Sequence, residues 1–154
     1  MQNSGKKILV LGVGNLLMND EGVGIHVIRH LEKKGFTGAD LMDGGTGGFH
    51  LLGLIQSYQH VIFVDAASDQ YFPGTVRLLH PRFAKDFPQQ MSAHEIGLKD
   101  LIESCHLSET VPEFHLITVS VKDYQDLGLV LTPEVEAAIP FVIEQIEKLV
   151  ASLK

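Results

Sequence analysis

Two short apolar runs, each continuous rather than alternating, constrain this chain more than anything else in it. Residues 8–13 read ILVLGV and residues 60–64 read HVIFV. A strand with one wet face alternates apolar with polar residues, so uninterrupted Ile, Leu, Val and Phe predict strands covered on both faces. Strands of that kind belong to parallel sheets, whose crossovers lay helices on either side. The intervening sequence supplies a crossover. After the loop Gly14 to Asp20, the residues Val23, Val27, Ile28 and Leu31 recur at helical spacing, and Lys33-Lys34-Gly35 carries the cations and the glycine of a helix C-terminus.

The rest of the chain extends the same alternation. A strand near Ala39 to Asp43 runs into Gly44 and Gly45, a helix spans 49–58, and the strand that starts at His60 ends at Asp65. Pro73-Gly74 is a turn pair, and the strand 75–79 that follows is antiparallel because its connection is too short for a helical crossover. Residues 81–91 have no clear period and read as loop. A helix opens at Ser92 or Ala93 and reaches Cys105, Phe114 to Val121 is a strand, and Thr132-Pro133 starts the last helix with a capping hydroxyl and a proline at its first position. The predicted architecture is a single-domain, three-layer α/β/α sandwich with a mostly parallel, doubly wound sheet and one antiparallel strand. It occupies residues 1–154, with 1–7 as a flexible N-terminal tail.

Composition narrows the function classes. The chain has 154 residues, 45% hydrophobic, enough for one real core and too few for a second catalytic domain. A net charge of -7, with twelve dispersed Lys and Arg, argues against nucleic acid as a partner. No apolar stretch approaches the roughly 18 residues of a membrane span, and the N-terminus lacks the pattern of a signal peptide. Cys105 is the only cysteine, which fits a reducing compartment, so the expected location is the cytoplasm. Its place at i+4 from Leu101 on an apolar helix face makes it a buried, inert thiol.

Four side chains, Glu21, Asp43, Asp65 and His94, each sit where an apolar run gives way to a turn or a glycine-rich stretch. Parallel strands all point the same way, so residues just past their C-terminal ends meet in the crevice where open α/β sheets bind ligands. Like charges brought together there call for a cation between them. Taken singly, each has a structural alternative: helix-dipole support for Glu21, turn formation for Asp43 and Asp65, and a packed imidazole for His94. His94-Glu95 is not a helical zinc pair, because the second histidine position is Leu98. His50 borders the second glycine loop as a weaker competitor, and His26, His30, His60, His80, His106 and His115 receive no chemistry. An alternative function uses Gly12 and Gly14 as the first glycines of a dinucleotide-binding loop, with Asp43 as the ribose acid, although Leu17 stands at the third glycine position.

Taken together and in order, GVGNLLMNDEGVG at 12–24, DGGT at 43–46, Val64-Asp65-Ala66, Pro73-Gly74-Thr75 and SAHEIGL at 92–98 resemble the hydrogenase maturation endopeptidases over nearly the whole chain. Gly22 departs from some relatives, which carry another small residue or an acid there. The resemblance implies an endopeptidase that removes the C-terminal extension of a nickel-iron hydrogenase large-subunit precursor once nickel is inserted. It implies Glu21, Asp65 and His94 as the metal-contacting, catalytic residues, and Asp43, Gly44, Gly45 and Thr46 in substrate recognition. The nickel is then carried by the substrate, while zinc or cadmium can take its place in vitro. The segments 44–48 and 81–91 are the expected surfaces for choosing a client.

Overall fold

Apolar residues at every position of a strand can be buried only if both sheet faces are covered, and the computed structural model of the protein shows that arrangement. It describes residues 7–45, 49–87, 95–122 and 127–154. The strands are β1 (Ile8–Gly12), β2 (Asp40–Asp43), β3 (His60–Ala67), β4 (Val76–Leu79) and β5 (Glu113–Ser120); the helices are α1 (Val23–Lys34), α2 (Leu52–Ile55), α3 (Glu95–Cys105) and α4 (Pro133–Leu153). They form one sheet in the order β2-β1-β3-β5-β4, parallel except for β4, which pairs antiparallel with β5. The expected three-layer, mostly parallel fold and its one antiparallel strand are therefore observed.

The period of two divides the core into halves. Ile8, Val10, Ile62, Val64, Ile117 and Val119 face α1 and α4. Leu9, Leu11, Val61, Phe63, Phe114 and Leu116 face α2 and α3. Helix α1 ends as predicted, at Gly35 in the left-handed region with φ 79°. The helix expected over 49–58 is shorter, a 3-10 turn at Phe49–Leu51 followed by the single turn of α2. Thr132 does precede α4, but its hydroxyl does not cap it; the side chain is spent on Asp20. Among the described residues, no helix is long and apolar enough to cross a membrane.

The strand order places a switch point between β1 and β3. The chain leaves β1 for β2 on one side and returns to β3 on the other, so the two connections part above that gap and open a crevice at the C-terminal ends of the strands.

Candidate active site

β1 stops at Gly12, which pairs with Val64, and the Val13 N–H donates to the Val64 carbonyl at 2.9 Å. β3 and β5 continue for three more pairs, Asp65 with Thr118, Ala66 with Val119 and Ala67 with Ser120. Asp65 therefore lies inside β3 rather than after it, correcting the expected strand end; it is the first residue of β3 beyond the end of β1. Alternation places it on the Phe63 face, toward α2 and α3. Its exposure is 0%, and Oδ1 accepts the Ala66 N–H at 2.8 Å. Beside it on β5 the Thr118 and Ser120 hydroxyls are buried, without a hydrogen-bond partner among the described residues. These hydroxyls put polar groups beside Asp65 on the same sheet face.

Glu21 is delivered by the 3-10 turn Asn19–Gly22, which packs on β3. Two glycines make that approach possible. A Cβ on Gly24 would stand 2.2 Å from the Val64 carbonyl oxygen, and one on Gly12 would stand 2.4 Å from the Gly24 carbonyl oxygen. The first turn of α1 thus rests directly on the strand ends. The loop is held from both sides: Asn15 N–H donates to the Glu21 carbonyl at 3.2 Å, while Asn19 N–H donates to Gly128 O and Gly128 N–H to Leu17 O. Asn19 itself adopts φ 49°, a left-handed conformation that Asn tolerates better than most residues. Asp20 is structural. Its two oxygens accept from Thr132 N–H and Oγ1–H at 2.7 and 2.8 Å, tying the loop to the start of α4. Only Asp20, Glu21 and Asp65 are buried acids among the described residues. With Asp20 committed to Thr132, Glu21 and Asp65 remain as the buried carboxylates of the switch point.

Asp43 ends β2 at the same rim, but it is exposed, and its Oδ1 accepts the Gly45 N–H at 2.8 Å as a turn former does. Gly44 N–H donates to Gly12 O and Gly14 N–H to Gly45 O, both at 2.7 Å, so the two glycine loops are pinned together. These bonds also remove the dinucleotide alternative. A phosphate cradle needs free loop amides, whereas those of Val13, Gly14 and Asn15 are engaged inside the protein. Thr46 and His94 lie outside the described residues. Helix α3, which follows His94 in sequence, packs through Leu98 and Leu101 on the sheet face that carries Asp65. Its far end leads into His106 beside Arg82, past the end of β4, so its first turn is directed back toward the rim. Cys105 is fully buried and its thiol is pushed up to about 11 by that burial, which leaves no thiolate for nucleophilic work.

Two features escaped the sequence reading. Leu17, Phe72, Leu127 and Leu129 are exposed apolar side chains on the loops that follow β1 and β3 and precede α4. Their signal was the apolar character of residues 127–130 outside any periodic element. At the opposite end of the sheet, His60, His80 and His115 come together although they are far apart in sequence.

Comparison with known proteins agrees with this geometry. A model of the hydrogenase maturation protease family matches residues 25–149. Hydrogenase 2 maturation protease of Escherichia coli is 33% identical over 144 residues, covering 91% of this chain and 88% of that protein. Hydrogenase expression/formation protein HoxM of Azotobacter vinelandii is 34% identical, covering 90% of this chain and 73% of its own length. The solved structure of the hydrogenase maturating endopeptidase HybD from E. coli superposes with a TM-score of 0.80 at 33% identity, covering 91% of this chain and 89% of that one. The [NiFe] hydrogenase maturation protease HybD from Thermococcus kodakarensis gives 0.79 at 31%, covering 94% and 99%. By family match, identity and fold, the chain belongs to the hydrogenase maturation proteases.

Proposed function

We propose that the protein is the endopeptidase that removes the C-terminal extension of a nickel-iron hydrogenase large-subunit precursor after nickel insertion, and that Glu21, Asp65 and His94 contact the precursor's nickel. The observation that carries this reading is the burial of two carboxylates, Glu21 and Asp65, on adjoining elements at one switch point. Carboxylates and imidazole together suit a divalent ion such as nickel. The first turn of α3, directed toward that rim, supports His94 as the imidazole. The exposed Leu17, Phe72, Leu127 and Leu129 favour a macromolecular client over a free peptide, since apolar patches with polar surroundings mark protein contacts. Asp43, Gly44, Gly45 and Thr46 are the substrate-recognition residues in this reading.

In this reading the client's ion completes the site. Glu21 and Asp65 supply oxygen donors held rigidly by the Gly12–Gly24 contact and the Ala66 N–H, and a loaded precursor docks where an empty one does not. Nickel seated between these donors would supply Lewis-acid chemistry, either polarising the scissile carbonyl or activating a bound water. The test is incubation of purified protein with precursor large subunits, nickel-loaded and nickel-free, with mass spectrometry of the product. Loss of a C-terminal peptide from the loaded form alone is expected, with Asp65→Asn and His94→Ala folded but inactive. Full cleavage by either variant, or equal cleavage of nickel-free precursor, would sink the reading.

A further inference from the structure

The N-terminal ends of β3 and β5 hold a second constellation, on the other sheet face and at the other end from Asp65. The register sets His60 opposite Glu113, and His115 follows two residues later on the same face of β5. His60 Nδ1 is 3.3 Å from His115 Nε2 and 3.2 Å from Glu113 Oε2. A ligand atom from each of the three residues lies within 4.8 Å of the other two. His80, just past β4, brings its Nδ1 to 3.0 Å from His115 Nδ1. His115 is buried, His60 nearly so, and Glu113 reaches in from the surface.

Proton bookkeeping shows what this cluster lacks. His60 Nδ1 carries either one proton or one lone pair, yet it faces an imidazole nitrogen and a carboxylate oxygen together. It cannot make two full hydrogen bonds. A cation replaces that shared proton naturally: two nitrogens bound at about 2.0–2.1 Å to a tetrahedral ion stand roughly 3.3 Å apart, which matches the observed separation of the two imidazole nitrogens. A metal-bound imidazole nearly always spends its second ring nitrogen on an outer partner, and His80 stands at that position for His115. An open cavity of about 560 Å³, lined in part by His80, His106 and Glu113, adjoins the Glu113 side of the cluster.

We propose that His60 Nδ1, His115 Nε2 and the Glu113 carboxylate bind a divalent ion of the zinc, nickel and copper group, with His80 as the positioning residue for His115. Two imidazoles and one carboxylate select that group over magnesium or calcium. Burial, then the neighbouring His80 and His60, push the His115 imidazole down to about 4, which keeps it neutral and able to ligate. The site stands independently of the nickel contact proposed for Glu21, Asp65 and His94.

The test uses untagged full-length protein stripped with chelator and titrated with zinc alone, by calorimetry and by long-range nitrogen NMR of the histidine rings. An Asp65→Asn background removes a rim acid from the count. In that background one ion still binds, with shifts at His60 Nδ1 and His115 Nε2. Adding His60→Ala or Glu113→Gln, both at partly exposed positions where folding is checked by amide spectra, weakens binding at least about tenfold, and His80→Phe weakens it by roughly 10–100-fold as outer-shell losses do. Unchanged affinity in all three variants, or zinc binding that moves no ring nitrogen of this cluster, overturns the proposal. Precursor cleavage is read separately, so failure here leaves the processing assay to decide its own question.

Discussion

The same two strands, β3 and β5, carry buried polar groups at both ends, and the ends differ in kind. At the C-terminal rim the donors are oxygens: Asp65 and Thr118 in register, Ser120 two residues on, and Glu21 from the loop above. At the opposite end they are mostly imidazole nitrogens, His60 and His115, with Glu113 at the edge and His80 behind. Between them the strands are wholly apolar. Polar groups survive in doubly covered strands only near the ends, where loops, ions or water can satisfy them. The two ends also use opposite faces, so neither constellation can borrow a ligand from the other.

The largest effect expected at the rim is on catalysis. Asp65→Asn keeps the shape and removes the charge, and should lower processing of loaded precursor by about a hundredfold or more, since even outer-shell partners of a metal are worth 10–100-fold; a loss below fivefold in a discontinuous cleavage assay would erase the functional distinction between the ends. The histidine end should dominate the acid response of metal-free protein. His115 is held at about 4 against an ordinary 6.5. The unfolded chain therefore takes a proton that the folded chain refuses. The stability from this group is fully present above pH 6.5 and is lost as the pH falls toward 4, by roughly 3 kcal/mol. Urea unfolding across that window measures it. His26, also lowered by burial first, acts in the same direction, so the flattening of the curve in His115→Gln isolates the contribution of His115.

Packing above the rim should be less tolerant than the glycine loop beside it. Gly24→Ala drives a Cβ into the Val64 carbonyl and should cost roughly 2–3 kcal/mol, whereas at Gly45, with φ 58° and nothing within 4 Å, alanine meets only the left-handed penalty of about 1–2 kcal/mol. Equal denaturation midpoints for the two variants would contradict the seating of α1 on the strand ends. The smallest effect is predicted at Asp43. Asn keeps the acceptor for Gly45 N–H, so Asp43→Asn should change stability by no more than about 0.5 kcal/mol, and any loss of processing then reports on client recognition by its charge.

Much of the frame was legible because burial leaves a periodic trace. The continuous runs of β1 and β3, the 3.6-residue spacing of α1, the Lys33-Lys34-Gly35 ending and the Pro133 start of α4 all correspond to observed elements. Glu21 and Asp65 were singled out for a local reason as well, since each is an acid next to an apolar run, and the structure buries both. The end of β3 was misplaced because strand length is set by the partner: β5 keeps pairing to Ser120, and no residue of β3 announces that. Thr118 and Ser120 went unnoticed because a hydroxyl in a strand carries no signal until the opposite strand is known. The capping role given to Thr132 failed because the Asp20 carboxylate, 112 positions away, accepts a hydrogen bond from its hydroxyl and turns the side chain toward the loop.

Taken alone, the order of amino acids determined the α/β class, the antiparallel strand, the inert Cys105 and a resemblance strong enough to point at one protease family. These depend on local periodicity and on motifs met in order along the chain. The tertiary structure alone decided which acids are buried, that the first glycine loop has spent its amides, and that three histidines assigned no role converge with Glu113. Those facts depend on register between strands distant in sequence, and only the closed sheet brings residues 60, 80, 113 and 115 to one place.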